Sequence, residues 1–83
     1  MKVELTEDGA IVAAEDLAPY LDLAPAAVPE LLRQGSLTAL YERGEGADAG
    51  RFRLTFRYQG ASVRFTCAAD GTVLGQFRSP AMS

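Results

Sequence analysis

Between Arg51 and Tyr58 the chain alternates without a break, with Phe52, Leu54, Phe56 and Tyr58 on one parity and Arg51, Arg53, Thr55 and Arg57 on the other. Successive side chains of a strand point to opposite faces. The segment therefore reads as a half-buried strand with one apolar and one basic face. Gln59-Gly60-Ala61 turns the chain, and the alternation resumes: Val63, Phe65 and Cys67 against Ser62, Arg64 and Thr66. Asp70-Gly71 is a strong hairpin-turn signal. Thr72 to Phe77 then reads as a last strand, with Val73 and Phe77 in phase. Upstream, Leu37 to Glu42 reads as a strand, joined to the first by a loop from Arg43 to Gly50 that holds three glycines.

The first third of the chain follows other periods. Lys2-Val3-Glu4-Leu5 alternates and predicts a short strand, Glu7-Asp8-Gly9 supplies turn chemistry, and Ala10-Ile11-Val12 predicts the second arm of a hairpin. Leu17, Tyr20 and Leu21 fall at helical spacing, with Glu15 and Asp16 in the first turn, where the helix dipole favours negative charge. Pro19 limits this helix to about two turns. Asp22-Leu23-Ala24-Pro25 breaks the chain, and Pro25 suits the first position of a new helix. Val28, Leu31 and Leu32 form its apolar stripe, Arg33 lies in its last turn, and Gly35 stands just past its end. Pro29 would delete a hydrogen bond inside a helix begun at Pro25, so the first turn is irregular or the regular helix begins nearer Val28.

These elements predict an α+β fold: a short N-terminal β-hairpin, two short helices, then a four-stranded antiparallel meander with the helices packed on one sheet face. The other sheet face is left to water, as antiparallel sheets allow. The whole chain, 1–83, reads as a single domain, with 79–83 as a flexible tail. Hydrophobic residues make up 48%, yet ten of the first fifty residues are Ala, so one thin core is what the large side chains allow. A chain of this length buries only about 60–65% of its unfolded surface. Dimerisation would cover more.

Composition removes most chemistry. There is no His and a single cysteine, Cys67, so an internal disulfide is impossible and the commonest general base and metal ligand are missing. By strand parity Cys67 points inward with Val63 and Phe65, as a small unreactive hydrophobe. Glu42, Glu45 and Asp48 lie in the glycine-rich loop, where a solvated surface is favoured over a cation site. Gly44, Gly46 and Gly50 precede a strand and no Lys-Ser or Lys-Thr, so they form no phosphate loop. No catalytic residue, no metal site and no cofactor is expected, and the protein is read as no enzyme. The opening residues carry acids where a signal peptide needs an apolar run, and no apolar stretch approaches a membrane span. A cytoplasmic location without membrane association is the expectation.

The net charge of −3 conceals a division: residues 1–50 carry −7 and residues 51–83 carry +4. Arg51, Arg53 and Arg57 share one strand face, and Arg64 has the same polar parity on the next strand. Like charges opposed across strands cost stability. The acids Glu4, Glu42 or Asp70, an acidic partner, a second copy or a phosphate-bearing ligand would each offset that cost.

The run from Tyr41 to Phe56, with Glu42-Arg43-Gly44 followed by Asp48-Ala49-Gly50-Arg51-Phe52-Arg53-Leu54-Thr55-Phe56, resembles a family of small uncharacterised proteobacterial proteins. Leu21-Asp22-Leu23-Ala24-Pro25-Ala26-Ala27-Val28 matches the family's helix start, and the resemblance spans roughly residues 1–78. It implies the hairpin, helix and meander architecture and supplies no catalytic residue.

Two functions compete. The first is a non-enzymatic interaction or accessory module that binds an acidic protein partner, or itself as a homodimer, through Arg51, Arg53, Arg57 and Arg64. The second is a nucleic-acid-binding regulator of helix-turn-helix and wing type. Nucleic acid is disfavoured because the second helix offers only Arg33 and Gln34 against Glu30, and because Phe52, Phe56 and Phe65 point inward, away from a stacking surface.

Overall fold

In a computed structural model of the protein, residues 3–6 and 9–80 are described. The fold is α+β. A two-stranded hairpin, β1 (Glu4–Thr6) and β2 (Gly9–Ile11), precedes the helical layer. A four-stranded antiparallel sheet follows, in the order β3 (Leu37–Arg43), β4 (Arg51–Tyr58), β5 (Ala61–Ala68) and β6 (Val73–Ser79). The expected meander is therefore present. The turn expected at Glu7-Asp8 and the last residues of the expected tail, 81–83, lie outside the described residues, and Ser79 closes β6.

The prolines shape the helical layer. Helix α1 (Ala14–Leu17) tightens into a 3-10 turn over Ala18–Leu21, because Pro19 has no N–H to continue the α-helical ladder. Pro25–Ala27 is again 3-10, and regular helix α2 spans only Val28–Gln34, with Pro29 in its first turn, where a missing N–H costs nothing. Gly35, at φ 82°, takes the left-handed conformation that ends it.

The core lies between this layer and one face of the sheet. Phe52, Leu54 and Phe56 of β4 and Val63, Phe65 and Cys67 of β5 are buried with Leu17, Ala18, Leu21, Val28 and Leu37. Phe65 is fully buried, with the Tyr20 ring edge-on at 5.2 Å and Phe56 at 6.2 Å. Full burial of one such side chain stabilises by about 1.5–3 kcal/mol. Two polar contacts moor the helices to β6: the Tyr20 hydroxyl donates to Gln76 at 2.6 Å, and Arg78 donates to Asp22 at 3.2 Å. The hairpin is fixed elsewhere, where the Val3 amide donates to the Gly71 carbonyl at 2.8 Å and the Val3 side chain is buried.

One expectation fails in β6. Val73 and Phe77 are separated by a bulge: Thr66 pairs with Gly75 and Cys67 with Val73, so Leu74 is the extra residue. An extra residue reverses the parity of everything beyond it. Val73 packs against the core, whereas Phe77 lies on the outer face, 63% exposed.

Candidate functional site

The outer face is built by the register of β3, β4, β5 and β6. The strand parity of β4 and β5 agrees with expectation: the apolar set is buried, and Arg51, Arg53, Arg57 and Arg64 are exposed. Across the sheet Leu40, Thr55, Arg64 and Phe77 form one row, Glu42, Arg53, Thr66 and Gly75 the next, and Thr38, Arg57, Ser62 and Ser79 a third. No arginine faces another directly: Arg51 is opposite Ala68, Arg53 opposite Thr66, Arg57 opposite Ser62 and Arg64 opposite Thr55. The repulsion expected from opposed like charges is thus reduced to weaker diagonal neighbours.

The acids expected to balance the arginines divide unevenly. Glu42 stands 3.7 Å from Arg53, both partly exposed. Asp70 accepts the Thr72 amide at 2.9 Å in the turn between β5 and β6. Glu4 lies on β1, in the separate hairpin. Arg64 instead lies over the Phe77 ring, 5.8 Å from its centroid, within cation–π range.

The bulge adds to this face one residue that strand alternation does not predict. Alternation from Val73 predicts the inner parity for Phe77, and only the bulge puts it beside Arg64. Its presence removes the objection that the face lacks an exposed aromatic. Arg43, expected as the first residue of the loop, is the last residue of β3; it stands opposite Phe52 and so has the inner parity at the end of the sheet. Together Arg43, Gly44, Glu45, Arg51, Phe52, Arg53, Arg64 and Thr66 line an open depression of roughly 450 Å³ at the loop end of the sheet. Arg57 does not line this depression. The hairpin closes just beyond Arg43, where the Gly44 amide donates to the Arg51 carbonyl at 2.8 Å.

The helical candidates are otherwise engaged. Both Arg33 and Gln34 hydrogen-bond Glu30 of their own helix. Cys67 is buried, and burial pushes its thiol pKa up, which keeps the thiol protonated and unreactive. Among the described residues no three acid, histidine or cysteine side chains converge as a metal cluster, and no helix is long and apolar enough to cross a membrane.

This arrangement occurs in a chain whose residues 1–82 match the model of a family of unknown function, DUF6522. The chain belongs to that family. No curated protein and no solved structure matches it. Membership in DUF6522 agrees with the resemblance carried by residues 41–56 and assigns no activity, so the reading of the arginine face rests on its own chemistry.

Proposed function

We propose that this chain is a non-enzymatic interaction module of the bacterial cytoplasm, whose outer sheet face receives an acidic protein surface. The observation that carries the reading is the exposed set Arg51, Arg53, Arg57 and Arg64, arranged on one face, with Glu42 3.7 Å from Arg53. Exposed Leu40 and Phe77 flank this set on the two edge strands and supply apolar contacts beside the charges. Guanidinium forks pair carboxylates in bidentate fashion, and a partner that buries the pairs gains more than exposed pairs do. A second copy fits the β6 edge better than the basic face, since two such faces repel, whereas an unpaired edge carrying Leu74 and Phe77 invites strand pairing.

The test uses poly-glutamate as an acidic probe, with light scattering of the free chain in parallel. Changing Arg53 and Arg64 together to Gln is expected to weaken poly-glutamate binding about tenfold, the loss of one or two charge-assisted bonds, and binding is expected to fall as salt rises. Equal affinities that stay flat with salt would return the face to ordinary solvated surface. A light-scattering mass that stays monomeric to about millimolar protein would remove the second copy.

A second reading is favoured by one observation. Phe77 beside Arg64 supplies an aromatic and a cation together, the pair that single-stranded nucleic acid stacks upon. A single-stranded RNA oligomer that binds more tightly than poly-glutamate, and loses affinity with Phe77→Ala, would favour this reading over the first.

A further inference from the structure

We propose that the open edge of β3 pairs with β3 of a second copy, antiparallel and centred on Leu40, so that two chains share one continuous sheet. The inference goes beyond the reading of the arginine face and does not depend on it. The sheet has two edges, β3 and β6. An edge strand presents a row of unpaired backbone donors and acceptors. β6 is bent by its bulge at Leu74 and is followed by Pro80, two devices that blunt an edge. β3 has neither, and its register with β4 runs unbroken from Leu37 to Arg43. Leu40, at the midpoint of the strand, is 52% exposed. A second copy therefore gains more at β3 than at β6.

Backbone geometry decides which groups face outward. The Gly44 amide donates to the Arg51 carbonyl, and ladder bonds of an antiparallel pair recur at every second residue. Thr38, Leu40 and Glu42 thus turn their backbone groups to β4, whereas Leu37, Ala39, Tyr41 and Arg43 turn theirs outward. A two-fold axis normal to the sheet keeps the inner faces of both copies on one side. Directly opposed side chains share a face, so this axis sets one residue of β3 against its own counterpart. Centred on Tyr41, the pairing sets Glu42 against Leu40 and Arg43 against Ala39, charge against apolar. Centred on Ala39, it leaves Glu42 and Arg43 opposite Ser36 and Gly35, outside the strand. Centred on Leu40, it pairs the whole strand: Leu40 meets Leu40, Ala39 meets Tyr41 and Thr38 meets Glu42.

Two further features become complementary under this rotation. The helical layer covers the inner side of β3 at Leu37, which is buried, and leaves Tyr41 of the same parity 38% exposed. An axis at Leu40 sets the covered end of one copy beside the open end of the other. It also carries α2, with its exposed Leu32, toward Tyr41 of the second copy. On the outer side, Glu42 lies opposite Thr38 of the second copy, whose neighbour on β4 is Arg57. Arg57 meets no acid at ion-pair distance among the described residues. Glu42 and that Arg57 are two strand spacings apart, roughly 10 Å, a gap their long side chains close over the small Thr38. The two Glu42 carboxylates stand between the arginine sets, which then lie side by side on one face.

Light scattering of the full chain tests this, with amide hydrogen exchange in parallel. A mass that rises from one chain to two between about 10 μM and 1 mM protein is expected, with the Ala39 and Tyr41 amides gaining protection over the same range. Leu40→Lys opposes two like charges at the axis and is expected to weaken the dimer at least about tenfold. Leu74→Lys, the same change on the β6 edge, is expected to leave it unaltered. Leu40→Cys is expected to give an intermolecular disulfide under oxidised glutathione. Residues opposed in a non-hydrogen-bonded pair stand about 4.5 Å apart at Cα, within disulfide reach. The wild type, whose Cys67 is buried, is expected to stay uncrosslinked.

A constant monomer mass to about millimolar protein, a dimer broken by Leu74→Lys and spared by Leu40→Lys, or protection at Ala39 and Tyr41 that does not change with concentration would each overturn the β3 pairing. The exchange arm uses the wild-type chain, so it decides even if the variants fold poorly. A monomer that binds poly-glutamate loses the β3 pairing and keeps the acidic-partner reading. A dimer that ignores poly-glutamate does the reverse.

Discussion

On the inner face of β4 and β5, Phe52, Phe56 and Phe65 are buried beneath short helical turns, while on the outer face of the same sheet Phe77 stands open beside Arg64. Inside, aromatic rings meet one another and the Tyr20 ring at 5.2–6.2 Å, and the polar groups that approach, Gln76 and Arg78, are used to moor the helices. Outside, the register separates every arginine from the next by a neutral residue directly opposite. The inner face is specified by packing, so each position there is constrained by volume. The outer face is specified by register alone, so its charges can be kept together at little cost to the fold and changed without losing it. The comparison teaches that the charged cluster is cheap to maintain, and that its use has to be sought in binding rather than in stability.

The largest expected effect sets the two faces against each other through their phenylalanines. Phe65→Ala opens a cavity in the core and is expected to cost about 3–5 kcal/mol, enough to unfold much of a domain this small at room temperature. Phe77→Ser is expected to cost under about 1 kcal/mol, the size of an exposed cation–π contact. Urea denaturation of both variants checks this. Comparable losses would mean that Phe77 is covered in solution, and would favour the second copy at the β6 edge.

A second effect sharpens the account of how the hairpin joins the inner core. Gly71 has φ 94°, and a Cβ there would overlap the Val3 carbonyl oxygen. The substitution Gly71→Ala forces the left-handed strain of about 1 kcal/mol and displaces the Val3–Gly71 hydrogen bond, another ~1 kcal/mol. A loss of about 2 kcal/mol is expected in thermal or urea melts, with Val3 and its neighbours losing amide protection first. Unchanged protection at Val3 would show that the hairpin is held by other contacts.

Much of this was legible in the sequence, and what was not has definite causes. The eight residues of β4 and the eight of β5 alternate strictly, and two unbroken runs of that length fix both parity and turn. The prolines announced short helices, and Pro29 pointed to an irregular first turn or a regular helix from nearer Val28; the structure has a 3-10 turn at Pro25–Ala27 and the regular helix from Val28. The face of Phe77 does not follow from alternation, because the bulge at Leu74 reverses every later side chain; the one sequence sign of it is Gly75, an isolated glycine inside a strand run. The cost of opposed arginines was not legible either: parity gives the face, but only register gives the pairing. Arg43 was missed because the loop was read one residue too early, at the base of a strand where no pattern separates pairing from turning.

A smaller effect concerns Cys67, a buried inner-face residue with a titratable group. Burial raises its pKa above that of the exposed thiol in the unfolded chain. Below the ordinary thiol range both states hold the proton and the group contributes no pH dependence. As the pH rises through that range the unfolded chain loses its proton first, so it binds fewer protons than the native state and stability falls. The fall continues until the folded thiol ionises as well. Cys67→Ala is expected to cost about 1 kcal/mol for the small void while flattening the part of the alkaline decline that belongs to this group. Melts from pH 7 to pH 10 on both chains isolate it. An identical decline in both would show that the thiol does not contribute.

The smallest expected effect is on stability, from the outer arginines themselves. Arg53 has Glu42 at 3.7 Å, with both side chains roughly half exposed, and pairs of that kind contribute between 0 and about 1 kcal/mol. Arg64 has no arginine directly across from it and meets Arg53 and Arg57 only on the diagonal. Removing Arg53 therefore loses a weak attraction and relieves a weak repulsion, and Arg53→Gln is expected to leave stability within about 0.5 kcal/mol. The same bound applies to Arg64→Gln. A double-mutant cycle over the two is expected to give a coupling of no more than about 0.3–0.5 kcal/mol, the ordinary limit for residues without a shared partner. A larger coupling would mean that the guanidinium groups crowd one another more than the register implies. A gain in stability on losing both would follow from that crowding. In that case the cluster would be a standing cost to the fold, and an anionic ligand would stabilise the wild-type chain more than the double variant.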